Sequence, residues 1–147
     1  MPYRLYMPAL TLAILSAPGI SQAAEPVSQY NTLRERLLSG TPTVSILHLE
    51  KCKRPKSKQA SQTAPIGGVK INEFMILPEP NTHISYASSH FTVRSDGTSV
   101  IEFLQYRINA NDTANITMHT LSPTTYKQLS APTKINCKLG EGIEFKP

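Results

Sequence analysis

The chain contains no tryptophan, and only two of its residues are aspartate, Asp96 and Asp112. Both aspartates fall in turn sequences, Asp96-Gly97 and Asn111-Asp112, where this residue type serves backbone geometry. A hydrolase of the nucleophile, base and acid kind needs an orienting carboxylate, and neither aspartate is well placed to be one. Gly-X-Ser-X-Gly is missing, as is any glycine loop that could cradle a phosphate. No Cys-X-X-Cys or His-X-X-X-His pair occurs, so no metal or cofactor is expected. After the first 23 residues no stretch approaches the ~18 apolar residues of a spanning helix. Sparse aromatics and a modest formal charge of +5 argue against nucleic acid as a partner. The absent tryptophan also argues against a standard lipocalin.

What is present begins with a three-part export signal. Arg4 supplies the positive start, Tyr6 to Ala17 the uncharged apolar run, and Ser21-Gln22-Ala23 the small residues read at cleavage. The run is short and interrupted by Pro8 and Pro18, which suits a cleaved leader better than an anchor. Residues 1–23 are therefore expected to be removed. Residues 24–147 then form one domain that works in the periplasm or outside the cell. Two cysteines, Cys52 and Cys137, make an even count in an oxidising compartment and are expected to form one disulfide. The rival reading, a reactive thiol, lacks the setting that lowers a thiol pKa.

Tyr30, Leu33 and Leu37 recur at helical spacing, which predicts a helix over Val27 to Leu38 with Ser28 as its cap and Gly40 at its end. From Thr43 onward the pattern is one of short strands. Strands are expected over Thr43 to Leu49, Val69 to Leu77 with a bulge near Glu73, and His83 to Tyr86. Further strands follow over His90 to Arg94 after a kink at Ala87-Ser88-Ser89, Val100 to Ile108 and Asn115 to Leu121. Lys134 to Leu139 and Ile143 to Phe145 flank Gly140-Glu141-Gly142 as a hairpin, and Gly67-Gly68 reads as a turn or bulge. Residues 50–65 form a polar loop. The fold class is mainly β (α+β). One N-terminal helix packs on a curled antiparallel sheet or small barrel of about seven strands, with one disulfide.

Lys51, Lys53, Arg54, Lys56 and Lys58 are the one run of charge. A solvated loop is its ordinary reading; peripheral contact with an anionic envelope surface is the functional one. His48, Glu50 and Cys52 would share a strand face, as in a small metal site, but an oxidised Cys52 is no ligand. Glu102 shares a face with Val100, Leu104, Tyr106 and Ile108; either it has a partner there, for which Arg94 across the turn is the nearest cation, or this end of the face is solvated.

The chain also resembles the VirK family of small exported bacterial proteins. The matching residues are Gly67-Gly68 with Ile71, Ile84 to Tyr86 leading into Ser89-His90-Phe91-Thr92, and Asp96-Gly97. Glu102-Phe103 with Gln105-Tyr106-Arg107, Leu121 to Tyr126 and Cys137 to Gly142 continue the match. Tyr30, Leu33 and Cys52 fit as well. The resemblance implies a bacterial protein with a role in virulence or host association. It supplies no catalytic residues. Tyr86, His90, Phe91, Glu102, Tyr106 and Arg107 lie in the matching strands and are the candidate binding residues, although packing explains most of them. The expected function is binding an envelope or host molecule, or a small apolar ligand. The alternatives are an anionic-surface binder and a hydrolase whose site assembles only in three dimensions.

Overall fold

The structure, a computed structural model, describes Met1 and residues 27–54 and 65–147. The expected leader beyond Met1, and Lys56 and Lys58 of the basic run, lie outside the described residues. Helix α1 spans Gln29–Leu38 and buries Tyr30, Leu33 and Leu37, the residues with helical spacing. Ser28 caps its start, its Oγ accepting from the Asn31 N–H at 3.4 Å. The Asp112 carboxylate extends that cap, accepting from the Ser28 hydroxyl at 2.9 Å and the Tyr30 N–H at 2.7 Å. Asp112 thus does more than shape its turn. It fastens the helix to a segment more than eighty residues away, where a negative group also complements the helix dipole.

Among the described residues eight strands follow: β1 Val44–His48, β2 Ile66–Lys70, β3 Met75–Leu77, β4 His83–Val93, β5 Ser99–Asn109, β6 Thr113–Leu121, β7 Thr133–Lys138 and β8 Ile143–Lys146. They form two sheets, ordered β2-β1-β8 and β3-β4-β5-β6-β7, with every strand pair antiparallel. Neither closes into a barrel, so of the two expected forms the antiparallel sheet is the one realised, as two sheets rather than one. Period-two alternation sends Ile84, Tyr86, Tyr106, Ile108, Ile116 and Ile135 to the inner face of the larger sheet. Leu47 and Ile143 meet them from the smaller sheet, with Leu33 and Leu37 of α1 in the same core. The Tyr86 hydroxyl donates to Ser45 Oγ at 2.8 Å, a buried bond between the two sheets.

Cys52 and Cys137 are joined, closing a separation of 85 residues with Cα atoms 4.5 Å apart. The bond ties the turn after β1 to β7. Beside it, Lys53 bridges to Asn136 and covers the outer edge of β7, which would otherwise offer unpaired backbone groups.

Four expectations of local structure are revised. Val69 to Leu77 is not one bulged strand: the chain leaves one sheet after Lys70 and joins the other at Met75, so the slip near Glu73 marks a change of sheet. His83 to Val93 has no kink, since eleven consecutive residues pair with β5. Gly67 and Gly68 lie within β2, paired with Leu47 and Ile46. Gly140-Glu141-Gly142 joins strands of different sheets, because β8 pairs with β1 and not with β7. Period-two patterning fixes faces, and two strands with matching faces can still belong to different sheets.

Candidate functional site

The two sheets part toward the β4–β5 hairpin end of the larger one, well away from the Asp112 turn that holds α1. The opening is a cleft of about 440 Å³. Its walls are largely aliphatic: Leu47, Leu49 and Val69 from one side, Leu104, Met118 and Ile135 from the other. Gly67 makes room for it. This residue pairs with inward-facing Leu47, so its missing side chain would point into the cleft, and a Cβ there would meet nothing within 4 Å. A glycine inside a strand weakens the strand; here it also leaves space where a side chain would otherwise be.

The polar groups of the cleft gather at one place. His90 and Glu102 are cross-strand partners, with His90 Nε2 3.0 Å from Glu102 Oε2. Glu102 therefore takes His90 as its partner and not Arg94, which lies 4.0 Å from Asp96 within its own turn. The reason is register: opposed residues of an antiparallel pair present side chains to the same face, and Arg94 lies beyond the end of the ladder. Glu102 is half-buried and His90 more open, so the pair stands at the rim.

Tyr106 lies deeper. Its ring stacks on Tyr86 with centroids 4.5 Å apart and planes 9° from parallel. Burial pushes the Tyr106 phenol above its ordinary pKa, against the opposing pull of a bond with Ser88. Burial pushes Tyr86 much further up, with Ser45 pulling the other way and Tyr106 adding to the rise. Both phenols are thus held neutral, as hydrogen-bonding groups and not as bases.

The six candidate residues from sequence divide between two faces. His90, Glu102 and Tyr106 line the cleft, and Tyr86 supports Tyr106 from beneath. Arg107 and Phe91 point to the opposite face of the larger sheet, both exposed. Leu47, Gly67, Val69 and Met118 are cleft residues that sequence reasoning did not single out. The one signal available was the double glycine within an otherwise strand-like stretch.

The remaining histidines do not converge on the cleft. His48 sits 3.4 Å from Glu144 on the outer face of the smaller sheet. His83 is held by the Asn81 carbonyl, and His119 contacts Gln128 at 3.0 Å. The His48, Glu50 and Cys52 cluster is dispersed, since Cys52 is spent in the disulfide. Of the basic run, Lys51, Lys53 and Arg54 are exposed among the described residues. No described helix is long and apolar enough to cross a membrane.

Comparison with known proteins adds the family. The chain is similar to the crystal structure of lpg1832, a VirK family protein from Legionella pneumophila. That likeness has a TM-score of 0.70 at 20% identity, over 82% of this chain and 98% of that one. It is 28% identical to the uncharacterised protein y4wH of Sinorhizobium fredii, over 93% of this chain and 94% of the relative. It is also 28% identical to an uncharacterised protein in the pinF2 3′ region of Rhizobium radiobacter, over 84% of this chain and 86% of the relative. The family model described as VirK protein matches residues 26–126, well over half of the sequence, and the chain belongs to the VirK family.

Proposed function

We propose that this protein is an exported binding protein, and that the cleft between its sheets holds a small molecule with an apolar body and a polar head. The observation that carries the reading is the cleft itself. Its volume of about 440 Å³ falls in the range of small-molecule sites, its walls are aliphatic, and its polar groups stand together at the rim. An acyl chain or similar body would pack on Leu47, Val69, Leu104 and Met118. Its head would meet the His90–Glu102 pair, which offers both a donor and an acceptor. The sequence of residues 1–23 supports export to the periplasm or beyond, and VirK membership supports a role in host association.

The test uses N-phenyl-1-naphthylamine, an uncharged apolar dye that brightens in dry surroundings. Saturable binding is expected for the folded protein. In Gly67→Leu the new side chain fills the cleft, and binding should weaken more than about tenfold. Because a Cβ at position 67 meets nothing, the variant should keep its thermal midpoint. Dye that binds both proteins equally, or neither, would sink the proposal. Native mass spectrometry of protein recovered from the envelope would then name the occupant through the mass it adds.

A further inference from the structure

The cleft uses one face of the larger sheet. The other face carries a separate concavity of about 710 Å³ whose character is different. Two cross-strand rows, polar but for one alanine, run over its floor. One row is Ser85, Arg107, Asn115 and Asn136 on β4 to β7; the next is Ala87, Gln105, Thr117 and Lys134 on the same four strands. Strands about 4.8 Å apart make each row about 14 Å long, and the rows are separated by about 7 Å. Phe74 and Met75 wall one side.

Charge on this face is unbalanced. Arg107 and Lys134 are both exposed, and neither is in an ion pair among the described residues. The charged neighbours are few. His83 lies 3.5 Å from the Arg107 guanidinium, but its Nδ1 already faces the Asn81 carbonyl. Glu73 stands on the wall beside Phe74 and is the one carboxylate of the lining among the described residues. Two cations therefore face one acid, with amides and hydroxyls between them.

We propose that this outer face is a second binding site, and that its ligand is an acidic oligosaccharide of the uronic-acid type. A peptide strand would choose a sheet edge, where main-chain groups are free to pair. A sheet face offers only side chains. Asn and Gln amides donate and accept at once, which matches sugar hydroxyls that do the same. Arg107, with its planar fork, takes a ring carboxylate in bidentate fashion, and Lys134 takes the next as a point charge. Phe74 gives the apolar flank against which the C–H face of a pyranose ring packs. The rows are long enough for two to three sugar units. Nothing in this proposal depends on the cleft being occupied.

The experiment is isothermal titration with tetragalacturonate, tetraguluronate and a hyaluronan tetrasaccharide. Uncharged maltotetraose and tetraglutamate serve as controls. At least one acidic saccharide should bind, with affinity that falls as sodium chloride is raised. Arg107→Gln and Lys134→Gln should each weaken that binding about tenfold. Both residues are exposed and in no ion pair among the described residues, so these variants should fold as the parent does. Gly67→Leu, which blocks the cleft, should leave saccharide binding unchanged. The proposal is overturned if no acidic saccharide binds better than maltotetraose, if tetraglutamate binds as well as the sugars, or if neutralising Arg107 and Lys134 changes nothing.

Discussion

Replacing Gly142 with alanine should destabilise this protein far more than a single methyl group suggests. A Cβ at position 142 would lie 2.7 Å from Cys52 Sγ, 3.1 Å from Cys137 Cβ and 3.4 Å from the Lys51 carbonyl. Comfortable contacts between such atoms begin at about 3.5 Å. Something must move by most of an ångström, and the surroundings resist. Cys52 and Cys137 are bonded to each other, and Lys53 and Asn136 exchange backbone hydrogen bonds just beyond. Gly142 is itself pinned: its carbonyl accepts from the His48 N–H at 2.8 Å, and its N–H donates to Lys138 at 3.0 Å. Overpacking of this kind costs about 2–3 kcal/mol. An opposing gain of about 0.5–1 kcal/mol comes from stiffening the unfolded chain. The net loss of about 2 kcal/mol corresponds to a thermal midpoint lowered by roughly 8 °C in a domain of this size. Gly142 does not have a positive φ, so backbone strain does not enter. The discriminating measurement repeats the substitution in a Cys52→Ala, Cys137→Ala background, where the nearest atom has gone. There the penalty should shrink to less than about 1 kcal/mol. Equal penalties in both backgrounds, or a midpoint within about 2 °C of the parent, would refute the argument.

The disulfide alone should matter more. Cys52→Ala with Cys137→Ala releases a loop of 85 residues. By the chain-entropy relation, stability should drop by up to about 4.6 kcal/mol, read as a lower urea midpoint with a steeper slope. Asp112→Ala should lose about 1–2 kcal/mol by uncapping α1, plus about 1 kcal/mol because φ is 57° there. Asp112→Asn keeps an acceptor and tolerates that φ, so urea melts should show most of the loss restored. Burial raises the folded-state pKa of Tyr86 above its unfolded value of 10.0. Its contribution is therefore intact below pH 10 and lost as pH climbs past it. Urea midpoints from pH 8 to 11 should fall more steeply in the parent than in Tyr86→Phe.

Sequence patterning revealed a good deal of this fold, and the limits have a common cause. Helix α1 was visible because Tyr30, Leu33 and Leu37 must all meet one core. β5 and β6 were visible because Asp96-Gly97 and Asn111-Asp112 punctuate a clean alternation. The disulfide followed from counting. What stayed hidden depends on which strand lies beside which. Val69 to Leu77 alternates almost correctly through a change of sheet. Gly140 to Gly142 looks like a hairpin because turn chemistry does not record which strand β8 will join. For Glu102 the sequence leaves a partner and a solvated face both open, and the cation it suggests, Arg94, is close in sequence while His90 is close in register. The same limit applies to the cleft. His90, Glu102 and Tyr106 could be placed on neighbouring strands, whereas Leu47, Gly67 and Val69 face them only because a second sheet lies opposite.

The pairing of β1 with both β2 and β8 has a consequence for how the protein comes into being. β1 is made early and β8 late, so during synthesis the smaller sheet waits on its last partner. Helix α1, earlier still, waits on Asp112 for part of its cap, and Cys52 waits on Cys137. Three early elements are thus each completed by a late one. Until β8 is made, β1 of the smaller sheet lacks one of its two partners, whereas the larger sheet pairs only strands adjacent in sequence. The local hairpins of the larger sheet have short loops to close, while the smaller sheet, the helix cap and the disulfide each wait on a partner distant in sequence.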